Sequence, residues 1–191
     1  MIRSIRMGLV VCFLGFATTT ARADLVINGG FETGDFTGWT AGNFNTVTSD
    51  PAFAHSGTYG VHYGAVGAPT FLFQNIVTTP GASYTFDFYQ KTLAGIPNEF
   101  QAFWDGTKIL DLVDSPIAAD FTHYSFAEVA SAASTEIKFG LRQDPAYSAL
   151  DDVSVNVRSV PEPASLTMLA LGGAGLIGYT VRRRRHRAAQ A

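Results

Sequence analysis

Flat aromatic side chains beside carboxamides are the residues of this chain best equipped to act on a ligand. A sugar ring stacks its C–H groups on an aromatic face while neighbouring amides bond its hydroxyls. Trp104, Tyr63, Tyr89 and Tyr147 are the aromatics expected at the surface, with Gln101 and Gln143 as the amides to serve beside them. Trp104, Tyr89, Tyr147 and Gln143 form the candidate ligand-binding set, against the plainer role of core filling that most Phe, Tyr and Trp residues play. Trp39, in "GW", is assigned to the core outright. Glu32 and the adjacent Asp151 and Asp152 are the most specific polar candidates; taken alone they read as well as solvated surface carboxylates.

Bond-breaking machinery is thin. His55, His62 and His123 lack metal-ligand spacing, and the chain contains no G-x-S-x-G elbow. If one strand held both His55 and His62, their separation would put them on opposite faces. The one cysteine, Cys12, falls in an N-terminal segment expected to be removed, which leaves no thiol chemistry and no disulfide. The carboxylate pair of a glycosidase is defined by a distance that only folding sets. A single acidic sandwich of this size is read as a binding or structural module, so no catalytic residue is assigned and no enzymatic activity is expected.

The elements that would position these residues are strands. Period-two alternation runs through most of the middle of the chain, and no segment there keeps a 3.6-residue period. In "SYTFDFYQ" Tyr84, Phe86 and Phe88 share one face; in "EIKFGLR" Ile137, Phe139 and Leu141 point inward against Glu136, Lys138 and Arg142. Further strands are expected over residues 25–27, 59–66, 71–77, 100–104, 108–112, 123–128 and 153–157. "TPGA" sets Pro80 and Gly81 in a type II turn, and Asp105-Gly106 is a two-residue hairpin signal. The fold class is therefore all-β, an antiparallel sandwich over residues 24–159. Five basic residues stand against fifteen acidic ones in that region, a net charge of −10. Phosphate backbones need a basic face, so nucleic acid is excluded as a partner; cations and neutral polysaccharide suit such a surface.

Both ends carry export signals. Arg3 and Arg6 precede an apolar stretch over residues 7–17, and "ARA" ends a signal peptide of residues 1–23, with Asp24 opening the mature chain. Residues 164–181 carry no formal charge, and as a helix they would reach roughly 27 Å, enough to cross a bilayer core. Arg182, Arg183, Arg184 and Arg185 follow at once and hold the C-terminal end in the cytoplasm. Ala170, Ala174 and Gly178 fall four apart and give that helix one smooth face.

Pro161-Glu162-Pro163, the glycine-bearing apolar run and "RRRR" together resemble the PEP-CTERM sorting signal of exopolysaccharide-producing Gram-negative bacteria, here over residues 160–187. The same motif is also labelled an ice-binding-protein C-terminal motif, and it predicts sorting rather than activity. The resemblance implies processing by the membrane enzyme exosortase, with the precursor anchored in the inner membrane and its domain in the periplasm. "LVINGGFETGDFTGW", "HSGTYGVHYG", "TTPGASYTFDFYQK" and "ALDDVSV" occur in the order seen in jelly-roll carbohydrate-binding modules of xylanases and cellulases. That likeness implies a jelly roll with Phe31 and Trp39 in the core, a tight bend at Gly29 and Gly30, and "LDDVSV" as a closing strand beside the first. It also implies a structural calcium ion (Ca2+) held by Glu32 and Asp151, with Asp152 a third candidate on the opposite face of its strand.

The reading that follows is an exported, exosortase-sorted cell-surface or matrix protein. Its domain would be non-catalytic and carbohydrate-binding-like, associated with exopolysaccharide. A structural or adhesive matrix protein without glycan specificity is the alternative, and a small glycan hydrolase the outsider.

Overall fold

The computed structural model describes residues 24–144, 146–158, 171–175 and 179. Ten strands run in order: β1 (Thr40–Ala41), β2 (Asn45–Thr48), β3 (Gly60–Tyr63), β4 (Thr70–Val77), β5 (Ser83–Lys91), β6 (Asn98–Trp104), β7 (Thr107–Val113), β8 (Thr122–Val129), β9 (Ser134–Gln143) and β10 (Ser148–Val157). The strand pairs are antiparallel and build two five-stranded sheets, β1-β4-β9-β6-β7 and β2-β3-β10-β5-β8. This is the all-β, two-layer architecture that fits a jelly-roll sandwich.

Alternation produces the layers directly. Along β5 every second residue is buried, so Tyr84, Phe86, Phe88 and Gln90 face the other sheet while Thr85, Asp87 and Tyr89 face out. Ile137, Phe139 and Leu141 of β9 meet them from the opposite layer, with the Phe88 and Phe139 rings 5.1 Å apart and edge to face. Each such aromatic removed from water stabilises the fold by about 1.5–3 kcal/mol. Phe31 and Trp39 plug the same core, their centroids 5.6 Å apart. The two turns form as expected: Ala82 N donates to Thr79 O around Gly81 at φ 78°, and Asp105-Gly106, both at positive φ, join Trp104 to Thr107.

Some elements differ from expectation. Residues 25–27 form bends rather than a strand, because the chain turns left-handed at Asn28 before a ladder can extend. They still lie against β10: Leu25 N donates to Val155 O, and Asp24 Oδ1 accepts from Val155 N. Gly29 is required there by closeness, since a Cβ would sit 1.8 Å from the Val153 carbonyl oxygen. The short β1 and β2 carry no alternation long enough to announce them. His55 lies in the connection before β3, so β3 holds His62 alone. Residues 1–23 with Cys12, the Pro161, Glu162 and Pro163 motif and Arg182, Arg183, Arg184 and Arg185 lie outside the described residues. Within the expected membrane segment 164–181, residues 171–175 and 179 are helical. No helix among the described residues is long and apolar enough to cross a membrane.

Candidate functional site

Each sheet brings candidate residues together on its outer face. On the first sheet β9 lies between β4 and β6. Register sets Phe71 and Gln101 on either side of Gly140, and Phe73 and Phe103 on either side of Lys138. Phe71 is 44% exposed. Lys138 Nζ stands 5.7 Å from the Phe71 centroid and 5.1 Å from that of Phe103, and the two rings are 6.4 Å apart. Gly140 has no side chain to raise between its neighbours; a Cβ would come within 2.6 Å of Gln101 Oε1. Gln101 Nε2 in turn donates to Glu99 and Asp111.

The cations on this face are paired. Lys138 Nζ donates to Glu136 at 2.9 Å, Arg142 reaches Asp144 through both Nε (2.7 Å) and Nη2 (2.9 Å), and Lys108 pairs with Asp111. Hydrogen bonds from Arg142 and Lys108 hold the Asp144 and Asp111 carboxyls below the usual carboxylate range. The bond to Asp144 likewise raises Arg142, with the charges of Asp144, Glu99 and Asp114 adding to it.

On the second sheet the segment connecting β2 to β3 covers the part of the outer face around Asp151 and Asp152. Asp151 is fully buried beneath it: Oδ2 accepts from His55 N at 2.7 Å and Ser56 N at 3.2 Å, and Oδ1 from Asp152 N at 2.7 Å. Desolvation pushes Asp151 up to about 6, the nearby charge of Asp152 adding and the three N–H donors opposing. Asp152 was expected to face away from Asp151 and does not. The β10–β5 register slips between Asp151 and Ser154, and Asp152 takes a left-handed φ of 48°. Its carboxylate thereby reaches the same segment, 2.6 Å from His55 Nδ1 and 2.9 Å from Ser56 Oγ. Glu32 Oε1 accepts from Thr58 N and Tyr59 N, both at 2.9 Å. Gly57 permits this, because a Cβ there would lie 2.2 Å from Glu32 Oε1.

The three carboxylates named as calcium ligands thus gather on one stretch of chain. What faces them is N–H groups, a hydroxyl and an imidazole, whereas a hard cation takes oxygen ligands. Among the described residues no group of three or more His, Cys, Asp and Glu side chains is arranged to hold a metal ion. As placed, these carboxylates tether the segment.

The ligand-binding candidates divide. Tyr89 is flanked by two imidazoles, His55 at 3.6 Å and His123 at 4.7 Å, both nearly parallel to its ring. Together with Asp87 and Asp152 they line a depression of about 490 Å³. Tyr147 is 47% exposed and stacks on His62 at 4.6 Å. Trp104 and Gln143 correct the expectation. Trp104 is 4% exposed, packs near Tyr84 and Phe86 and donates from Nε1 to Val129 O. Gln143 is 1% exposed, donating to Gly95 O and accepting from Ser148 Oγ. Tyr63 is buried as well, its hydroxyl accepting from Gln90, and burial raises its pKa. The cause is strand phase: Trp104 is in step with Phe100 and Ala102, and Gln143 with Phe139 and Leu141. That same phase turns the half-buried Phe103 outward, and with Phe71 it was the signal that sequence reasoning passed over.

Comparison with known proteins bears on both ends of this picture. The PEP-CTERM protein-sorting motif matches residues 159–185. No curated protein matches the chain. Among solved structures, TmCBM61 in complex with β-1,4-galactotriose superposes with a TM-score of 0.59 at 16% identity, over 71% of this chain and 99% of its own. The CBM22-1 xylan-binding domain of Paenibacillus barcinonensis Xyn10C gives 0.53 at 15%, over 75% and 100%. The enzymatically active domain of tailspike protein 4 of bacteriophage CBA120 gives 0.54 at 17%, over 71% of this chain and 21% of its own. At these identities the likeness shows the fold alone. The motif implies export and a membrane-anchored precursor. The chain therefore joins a jelly-roll sandwich, of the kind found in carbohydrate-binding modules, to a PEP-CTERM protein-sorting motif.

Proposed function

We propose that this is an exosortase-sorted surface or matrix protein whose first-sheet face binds a glycan without cleaving it, in association with exopolysaccharide. The observation that carries the reading is the pair Phe71 and Phe103, set across Gly140 and Lys138 beside Gln101 on a face whose side chains all remain at least partly exposed. The second sheet offers less, because its covering segment occupies Asp151 and Asp152, and imidazoles lie against Tyr89. Binding rather than hydrolysis agrees with the chemistry of the face. A general acid needs a raised pKa, and Asp111 and Asp144 are held low by their cationic partners.

Affinity electrophoresis of residues 24–158 through gels containing xylan or galactan tests this; the solved relatives named for such ligands guide the choice of probe. Wild type should be retarded, and a Phe71→Ala, Phe103→Ala double variant should lose at least about tenfold in affinity, each stacked ring contributing roughly 1 kcal/mol. Equal mobility of the two proteins would favour a matrix role without glycan specificity, and release of reducing sugar would make the domain a hydrolase. Sorting is tested separately. Alanines at Pro161, Glu162 and Pro163 should leave the full-length precursor in the inner membrane, uncut, in cells that carry exosortase.

Calcium remains a proposal of its own. An ion at Glu32 and Asp151 would share their carboxylate oxygens with the N–H groups of the 55–59 segment.

A further inference from the structure

We infer that the first-sheet face selects an uncharged polysaccharide over an acidic one, and that Glu136 and Asp144 set this selectivity by neutralising Lys138 and Arg142. The inference rests on the glycan-binding reading above and adds the ligand's chemical class.

A uronate or sulfated chain is recognised through cations free to donate to it, above all the planar fork of an arginine. Arg142 already spends that fork on Asp144, through Nε and Nη2. Lys138 lies between the Phe71 and Phe103 rings and donates to Glu136. Lys108, on the neighbouring β7, is paired with Asp111. All three cations are thus committed to nearby carboxylates, and Glu99 adds one more negative charge beside Gln101. At longer range the net charge of −10 over residues 24–159 repels a polyanion before contact. Hydroxyl groups meet none of this opposition. Carboxylates are acceptors with lone pairs to spare, and sugar hydroxyls are donors, so Glu99, Glu136 and Asp111 present what a neutral glycan needs beside the two rings.

The selectivity is open to inversion. Ion pairs still open to solvent contribute modestly to stability, so a Glu136→Gln, Asp144→Asn variant, in which both half-buried pairs are broken, keeps its fold, as a thermal melt would verify, while Lys138 and Arg142 are released. Wild-type protein should be retarded in xylan or galactan gels to the same degree at low and high salt, and should run freely through alginate and polygalacturonate. The double variant should gain roughly tenfold in affinity for alginate, a charge-assisted hydrogen bond's worth, and lose that gain as salt is raised. Retardation of wild type by alginate, or a folded double variant that still ignores it, overturns the inference and leaves the glycan-binding face standing. Free migration of wild type through every gel overturns the glycan-binding face itself and this inference with it.

Discussion

Replacing Trp104 with alanine should lower the stability of the domain by about 3–5 kcal/mol and leave glycan retention intact in the cold. The indole spans the two layers: it leaves β6 in the first sheet, packs against Tyr84 and Phe86 of β5 in the second, and donates to the Val129 carbonyl at the end of β8. Truncation removes all of these contacts and opens a cavity that a rigid sandwich closes poorly. For a domain of this size the loss corresponds to a fall in melting temperature of roughly 10–20 °C. Trp104→Phe should give back most of it, losing mainly the hydrogen bond. A thermal melt followed by circular dichroism measures the first effect, and electrophoresis at low temperature measures the second. Were Trp104 a sugar platform, alanine would abolish retention with little change in the melt. That outcome would contradict the burial of the ring.

The difference between Trp104 and Phe103 shows what a strand pattern conveys. Alternation in β5 and β9 marked inward and outward residues correctly, because two strands with long, unbroken patterns have only one phase that buries their aromatics. The turns at Gly81 and Asp105-Gly106 were legible for a similar reason: positive φ is a local demand met by a few residue types. In β6, "FQAFW" ends on two adjacent aromatics, and Trp104, the one expected at the surface, is the inward one. Phe71, Phe103 and Lys138 meet across three strands far apart in the chain, and only the register of β4, β9 and β6 makes them neighbours. Asp152 was beyond reach for a different reason. Strand periodicity turns it away from Asp151, and the irregularity in β10 that cancels this leaves no mark in "LDDV". The segment over the second sheet is likewise a long-range event, made by backbone to side chain bonds from His55 N and Ser56 N to Asp151, spanning more than ninety residues.

Stability measured in EDTA should fall as pH rises from about 4 to 6 by an amount that disappears in Asp151→Asn. The direction follows from the carboxyl's two states. In the unfolded chain Asp151 titrates near its ordinary value of 3.8, and in the folded domain burial lifts it to about 6. Between those values the native state holds the extra proton, so the stabilisation is complete below the lower one and is lost as pH passes the upper. The shift sets an upper bound of about 3 kcal/mol on the change. Asp111 and Asp144, held low by cations, act in the opposite sense and lose their contribution only as pH falls. The difference between wild type and Asp151→Asn isolates the buried group from them. A flat difference across this range would show that the N–H groups of His55, Ser56 and Asp152 outweigh burial and keep the carboxylate ionised. Calcium gives the same experiment a second arm. An ion bound to Glu32 and Asp151 would hold Asp151 charged, erase the step and raise the melting temperature at pH 7 in wild type but not in a Glu32→Ala, Asp151→Ala double variant. With the N–H tether alone, the step should persist unchanged when calcium replaces EDTA.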